Sequence, residues 1–546
     1  MLSKNHTKIV DISALATFAG LILSILLILF ISFLLYRLAF FQNPKNIFTN
    51  YSPYIIHLLK FTFFQATLST ILSIFFGIIL SWSLFHFKNF IFRDTLVSLF
   101  SSALVLPSIV VVLGIISVFG KHGWLNELIK MIFDKELGGY IYGLSGILFA
   151  HVYFNASYAS RVFYDAFYSI PVQRYKVAKT LGLNLWQRFY YIEFPNLKPY
   201  IFGLSRTIFL LCFSSFVIVL ILGGNPSYNT LEVAIYEALK FDFDIPLSIK
   251  LSFLQIFISL IVLFFISYKY SKNDISLEDY IKTDWIETKK ELILHVIIIT
   301  IFSLLFLMPL VSIVFDGLKA DFMKLFSEKG FINAFKTSII IASLSSFFTL
   351  IVALMLSFSK STLMQLTLQN KKVVYKIAEK VITLSSSIYL TVPSIVLGVG
   401  FFLLSQNISL SLHLIALIAL IFANTLLSLP FAFNTFYPQI YTISKKYNKI
   451  TKTLDINLFS KIFYIYLPNL KAQIIYILAL SFSFSLGDLS IIALFGDKDM
   501  ATLPWYLYEK MGSYRTNDAA GIALVLLSLT LTLFMITQKA NRAKNR

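Results

Sequence analysis

Charge is scarce in this chain: of 546 residues only 13% are Asp, Glu, Lys or Arg, against 58% hydrophobic. That balance excludes a soluble globular protein, because so much apolar surface cannot be hidden inside one water-surrounded core. Cysteine is almost absent, with Cys212 standing alone in an apolar run. An intrachain disulfide and a paired-thiolate metal site are therefore excluded, and Cys212 reads as a small buried apolar residue. The seven His are scattered without metal-ligand spacing, and no cluster of polar residues at one depth suggests a membrane-embedded enzyme, so no catalytic or metal site is assigned. A phosphate-cradling G-x-x-x-x-G-K-[ST] loop is missing too. The nearest approach, Gly114 to Gly120-Lys121-His122, has the wrong spacing and no hydroxyl. The first apolar stretch lacks a small-residue cleavage site, which favours a retained anchor over a secretory signal.

Long apolar runs are what the chain has instead. Windows able to cross roughly 30 Å of hydrocarbon at about 1.5 Å per residue lie near 12–38, 61–87, 95–119, 141–164, 197–222 and 245–268. Six more follow near 292–316, 332–359, 378–404, 408–435, 470–495 and 518–538. The expected fold is all-α and polytopic, with about twelve transmembrane helices in two homologous six-helix halves, and both termini on one side. The segments on that side hold 30 of the 46 Lys and Arg and 12 acidic residues, so that side is expected to be cytoplasmic. With nearly all of the net +19 charge placed there, nucleic acid is a poor partner and the lipid bilayer a good one.

The two halves are legible as a duplication. Between Lys176 and Lys198 the chain reads KVAKTLGLNLWQRFYYIEFPNLK, and between Lys449 and Lys471 it reads KITKTLDINLFSKIFYIYLPNLK, identical at 12 of 23 paired positions. Pro107-Ser108-Ile109-Val110 likewise returns as Pro393-Ser394-Ile395-Val396. The expected division is 1–270, a mixed-charge connector at 271–291 without Gly or Pro, and 292–546, with cytoplasmic loops at 164–198 and 437–471.

Each repeated island reads as two short helices meeting at a turn. Gly182 can take the positive φ that ends a helix and Asn184 can cap the next one. Asp455 occupies the Gly182 position in the second copy, so a more strained or differently shaped turn is expected there. Leu185, Trp186, Phe189, Tyr190 and Ile192, with Leu458, Phe459, Ile462, Phe463 and Ile465 in the partner copy, cannot all enter lipid while Arg188, Lys461 and the flanking Lys residues hold the segment at the surface. One such island also fits an amphipathic helix lying on headgroups. Two at matched positions, closed by Pro195 and Pro468, favour an apolar knob with a basic rim that docks into a groove on a partner.

The remaining polar residues are few. Asp488 lies within the eleventh window, where a carboxylate is costly and faces a cavity or ties helices together. The stretches 223–244 and 496–517 each follow a Gly and carry Glu232, Tyr236, Glu237, Asp242 and Asp244, then Trp505, Tyr506, Tyr508 and Glu509. Aromatic faces beside carboxylates suit an organic cation, and they equally suit an interfacial belt or an acidic docking rim. Arg161 with Asp165 reads as a structural pair, and His151 with Asn155 as a helix-packing pair. An ion-coupled secondary transporter is the rival class. It would normally carry several intramembrane ionisable residues and has no use for duplicated docking loops.

Small residues, then Gly, then nine residues and Ile-x-hydrophobe-Pro, carried by Ala178, Gly182, Ile192 and Pro195, resemble the cytoplasmic EAA loop of bacterial ABC importer permeases. Lys176 stands where that family usually has Glu, and Asp455 where it has Gly. Two such loops in one chain resemble the fused two-half branch that serves thiamine and iron(III) import. The segments 142–161, 222–244 and 485–520 are similar to its thiamine and thiamine pyrophosphate members. The resemblance implies a permease subunit of the bacterial inner membrane with both termini cytoplasmic, working by alternating access and binding no cofactor itself. An ATPase dimer holding ATP and Mg would dock on Lys176, Ala178, Gly182, Leu185, Trp186, Ile192 and Pro195, and on Lys449, Asp455, Leu458, Phe459, Ile465 and Pro468. A periplasmic or lipid-anchored binding protein would deliver the small-molecule cargo. Asp488, Tyr236, Glu232, Trp505 and Tyr508 are the candidate contacts along its pathway, Asp488 suiting a thiazolium cation. Iron(III) is the alternative cargo.

Overall fold

The computed structural model describes residues 6–41, 52–87, 90, 92–135, 138–224, 227–267, 288–370, 372–405, 412–454, 456–496 and 500–544. The connector at 271–291 therefore falls almost wholly outside the described residues, as does Asp455; of Lys449, Leu458 and Phe459 only the backbone is described.

Helices account for nearly everything described. The first half contains α1 (His6–Phe41), α2 (Pro53–His86), α3 (Arg93–Ser102), α4 (Ser108–Phe119), α5 (Trp124–Phe133), α6 (Leu144–Tyr168), α7 (Val172–Thr180), α8 (Leu185–Arg188), α9 (Phe194–Phe213), α10 (Val217–Leu222), α11 (Leu231–Lys240) and α12 (Ile245–Ser267). The second contains α13 (Lys289–Gly317), α14 (Phe322–Ser327), α15 (Lys329–Asn370), α16 (Val373–Ser387), α17 (Ser394–Ser405), α18 (Leu412–Thr453), α19 (Leu458–Lys461), α20 (Leu467–Gly487), α21 (Ser490–Phe495), α22 (Leu503–Gly512) and α23 (Thr516–Lys544).

Among the described residues, eight helical segments are long and apolar enough to cross a bilayer, or nine if the bent pair Val373–Leu390 and Ser394–Leu404, meeting at 95°, is one span. Twelve windows were expected, and the three that fall short do so for local reasons. The window at 12–38 contributes a shorter apolar helix, Thr17–Phe33. The window at 141–164 is α6, which spends its length on His151, Asn155, Ser157, Ser160 and Arg161. The window at 197–222 is cut at Ser214 between α9 and α10.

Cuts recur at matched places in the two halves, and Pro supplies one pair of them. Pro107 and Pro393 each stand just before a helix, where the missing N–H costs nothing but the residue ahead is pushed out of α geometry. Each thus splits its window into a leading helix, a 3₁₀ turn and a second helix. Elsewhere one half is broken and the other is not: Pro171 separates α6 from α7, whereas Ser444 at the matching place lets α18 run on to Thr453.

Paired hydrogen bonds make the duplication three-dimensional. The Leu231 amide donates to Thr62 Oγ1 at 3.1 Å and the Leu503 amide to Ser338 Oγ at 2.8 Å, so the starts of α11 and α22 are pinned to α2 and α15 in the same way. The leading helices cross over. Helix α1 packs on α15, α16 and α17 of the second half, where Tyr389 donates to the Leu27 carbonyl at 2.8 Å, and α13 packs on α2 and α4 of the first. Gly114 permits that second crossing, since a Cβ there would stand 2.4 Å from the Pro309 carbonyl oxygen. This glycine, met above as a false phosphate-loop signal, serves helix–helix approach.

Candidate functional site

Two constructions carry the chemistry: a cavity between the halves and a pair of surface elements built from the repeated islands. The cavity, about 310 Å³, opens where the helices of both halves break. Ser214 and Ser215 contribute from the cut between α9 and α10, and Gly487 and Asp488 from the cut between α20 and α21. Pro107 with Ser108 and Pro393 with Ser394 form facing walls. A broken helix exposes backbone and small side chains where a continuous one would present a wall, and such breaks are tolerated at membrane depth where they line a cavity.

Polar groups around the cavity divide into those that hold helices together and those left over. His151 Nδ1 lies 3.0 Å from Ser69 Oγ, and Asn155 Nδ2 donates to Cys212 Sγ at 3.3 Å. In the second half Asn424 Nδ2 donates to Ser485 Oγ at 3.0 Å. Such bonds contribute roughly 0.6 kcal/mol each, enough to fix helix register and too little to dominate stability. The packing role expected for His151 and Asn155 holds, but each reaches a separate helix instead of its neighbour. Left over are His151 Nε2, Ser428 Oγ, Ser483 Oγ and Asp488 Oδ2, all buried atoms of cavity-lining residues without a hydrogen-bond partner. Asp488 Oδ1 caps the following turn by accepting from the Ser490 amide at 3.1 Å. Asp488 thus caps a turn and is also a residue of the cavity wall.

The other pathway candidates do not line this cavity. Glu232 is fully buried on α11, and Tyr236 is buried edge-on against Phe216 at 5.2 Å. Trp505 and Tyr508 lie half-buried on α22, the indole of Trp505 covering Gly496. All four sit on the paired helices α11 and α22 and none is in the cavity wall, although Tyr236 packs on the lining residue Phe216 and Glu232 stands within electrostatic reach of Asp488. Arg161 and Asp165 form the expected pair at 3.3 Å.

The surface elements repeat each other closely. In the first, Gly182 has φ +62° and the Leu183 amide reaches back to the Ala178 carbonyl at 3.1 Å, closing α7 with the bond of a Schellman turn. In the second, the Ile456 amide reaches the Thr451 carbonyl, also at 3.1 Å. The closing bond is thus the same in both copies; the more strained or differently shaped turn expected at Asp455 falls on a residue outside the described ones. Asn184 and Gln187 then exchange capping bonds of 2.9 and 3.0 Å, and Asn457 accepts from the Ser460 amide at 2.8 Å. A π-helical turn follows in each, Phe189–Glu193 and Ile462–Tyr466. Pro195 and Pro468 stand in the first turns of α9 and α20.

Exposure separates the expected docking residues. Val177, Leu181, Tyr190 and Tyr191 are exposed in the first copy, and their counterparts Ile450, Leu454, Phe463 and Tyr464 are exposed in the second. Trp186 is 68% exposed, and Lys176, Pro195 and Pro468 are exposed too. Ala178 and Ile192 are buried, and Leu185 and Ile465 are half-buried. Ala178 and Ile192 line a groove of about 490 Å³ with Val177, Leu181 and Tyr191 on the rim. Arg188, expected to hold the segment at the surface, is instead buried at 1% exposure, turned inward to Glu193 at 3.7 Å; Glu193, also buried, was missed from sequence, and only its charge within an otherwise exposed segment could have marked it.

Residues 73–276 and 372–541 each match the family of binding-protein-dependent transport system inner membrane components. The chain belongs to this family. Among its relatives are the thiamine transport system permease proteins of Haemophilus influenzae, 35% identical over 88% of both chains, and of Escherichia coli, 35% identical over 89% of both. A probable sulfate transport system permease protein of Marchantia polymorpha is 25% identical over 43% of this chain and 81% of its own. As such an importer component, the permease is a multi-pass inner-membrane transport subunit and not an enzyme. ATP hydrolysis belongs to a separate ATPase, and a substrate-binding protein is its other partner.

Proposed function

We propose that this permease carries thiamine or its phosphate esters inward across the bacterial inner membrane, through the cavity at the helix breaks. The carrying observation is the carboxylate of Asp488, a cavity-lining residue whose Oδ1 accepts from the Ser490 amide and whose buried Oδ2 has no hydrogen-bond partner in the protein, beside a space that a cationic cargo can fill. Thiamine is an aromatic cation with a fixed positive charge, and the volume falls at the low end of the roughly 300–1,000 Å³ usual for small-molecule sites. Relatives that span nearly the whole chain are thiamine permeases, which supports this cargo over iron(III); ferric ion takes several oxygen ligands, and the cavity wall has one carboxylate.

In this reading residues 1–270 and 292–546 are the two halves and 271–291 is their cytoplasmic connector, with both termini cytoplasmic. The ATPase acts as a dimer, holds ATP and Mg, and docks on the two repeated elements; this chain binds no cofactor. Closure of the dimer draws the elements together. Because each element is continuous with the helices beside it, the halves rock and the cavity changes sides. A periplasmic or lipid-anchored binding protein delivers cargo at the outer face.

The test is ATPase activity of the reconstituted complex with binding protein, comparing thiamine, its mono- and diphosphate, and iron(III) chelates. Stimulation by thiamine or its phosphates and none by iron(III) is expected. Stimulation by iron(III) alone contradicts the assignment.

A further inference from the structure

Beneath the first coupling element lies a buried polar cluster that the docking surface does not use. Glu193 Oε1 is 3.0 Å from His86 Nε2, accepts from Tyr175 Oη at 3.2 Å and lies 3.7 Å from Arg188 Nε; its Oε2 accepts from Trp82 Nε1 at 2.9 Å. Arg188 Nη2 is 3.5 Å from His86 Nδ1. Because a guanidinium only donates, Nδ1 is the acceptor, and the network assigns the His86 proton to Nε2, pointing at Glu193. Arg188, Glu193, His86, Trp82 and Tyr175 are all buried.

The cluster reaches across the molecule. His86 stacks on His295 of α13 with ring centroids 5.4 Å apart and planes 10° from parallel, and Trp82 meets His295 edge-on at 4.8 Å. On its other side Trp82 stacks on Trp186 of the coupling element at 6.0 Å. One continuous set of contacts thus runs from the first element, through α2, to the leading helix of the second half.

The matching place in the second half is built differently. Tyr466 stands where Glu193 would, and its hydroxyl is 2.8 Å from Ser444 Oγ; Phe358 stands for Trp82, edge-on to Tyr466 at 4.8 Å. Lys461 stands for Arg188 and donates to Asn448 Oδ1 at 2.9 Å. A carboxylate–guanidinium–imidazole set in one half is a set of neutral groups with one cation in the other. A buried charge stripped of its partner is strongly penalised, so the charged set holds together through a movement where neutral bonds exchange readily.

We infer that Arg188, Glu193 and His86 are positioning residues of the import cycle, clamping the first coupling element to α2 and, through His295, to the second half, so that this element carries the larger share of the mechanical coupling. The inference rests on the reading of the repeated elements as ATPase docking sites. The experiment separates the two by measuring ATPase co-purification apart from ATP hydrolysed per cargo imported, in proteoliposomes holding the full complex with its binding protein. Glu193→Gln, which keeps shape and removes charge, is expected to raise ATP per cargo at least tenfold with co-purification unchanged, while Tyr466→Phe stays within twofold. His295→Phe, which keeps a ring for the stack, is expected to stay within twofold, and His295→Ala to raise the ratio at least fivefold. Equal effects of Glu193→Gln and Tyr466→Phe overturn the inference, as does loss of ATPase co-purification in Glu193→Gln or an unchanged ratio in both Glu193→Gln and His295→Ala.

Discussion

Replacing Val177 and Leu181 together by Asp is expected to lower ATPase co-purification at least tenfold while the permease still inserts and folds. Val177 lies in the last turns of α7 and Leu181, four residues on, is its C-cap in helical geometry with its amide bonded to the Val177 carbonyl at 3.0 Å, so the two present one apolar face on consecutive turns. They are 59% and 68% exposed, which leaves most of each side chain free to be buried by a partner. Full burial of a Val or Leu side chain stabilises by about 1.5–3 kcal/mol, and half of that for two side chains already corresponds to about tenfold or more in affinity. Two carboxylates placed there add a desolvation penalty. The second element, with Ile450 and Leu454 at the same places, still docks, so the loss reads as reduced affinity and broken avidity instead of complete release. Since both positions already face outward, the substitutions leave the packing of Ala178 and Ile192 untouched.

The second large effect belongs to the cavity. Asp488→Asn is expected to lower import of a cationic cargo at least tenfold and to leave the stability of the permease unchanged or slightly improved. The amide keeps an oxygen to accept from the Ser490 amide, so the turn after α20 retains its cap. What disappears is a charge whose second oxygen has no protein partner. Two unit charges at about 4 Å attract by about 4 kcal/mol at an effective dielectric near 20, and a tenfold loss needs only about 1.4 kcal/mol of that. A purely structural carboxylate predicts the opposite pattern, a less stable protein with import falling in proportion. Import assays beside thermal melting in detergent distinguish the two.

Much of this architecture was legible because membranes leave simple marks. Apolar windows, the bias of Lys and Arg, and the repeated islands are local or periodic, and each survives reading one residue at a time. What was hidden depends on pairs far apart in the chain. The breaks after Phe213 and Gly487 fall inside apolar windows, so a window sees one helix where the backbone makes two. Glu193 went unremarked, since nothing local says that Trp82 and His86, over a hundred residues earlier, turn toward it. Asp488 was legible because a lone carboxylate among apolar residues needs a reason. Glu232, equally buried, and the aromatic residues of α11 and α22 were read on composition alone; the fold sets them outside the cavity wall, with Tyr236 packed on the lining residue Phe216.

The central claim is that two repeated elements on one face of the membrane receive force from one motor. Its most direct measurement is site-specific cross-linking to the ATPase from single cysteines placed at Leu181 and, separately, at Leu454, with sidedness read by a membrane-impermeant thiol reagent and the buried native Cys212 as the silent background. Both positions are predicted to cross-link to the ATPase and to be labelled only from the cytoplasmic side. Labelling of the two from opposite sides, or cross-linking from neither, contradicts the account.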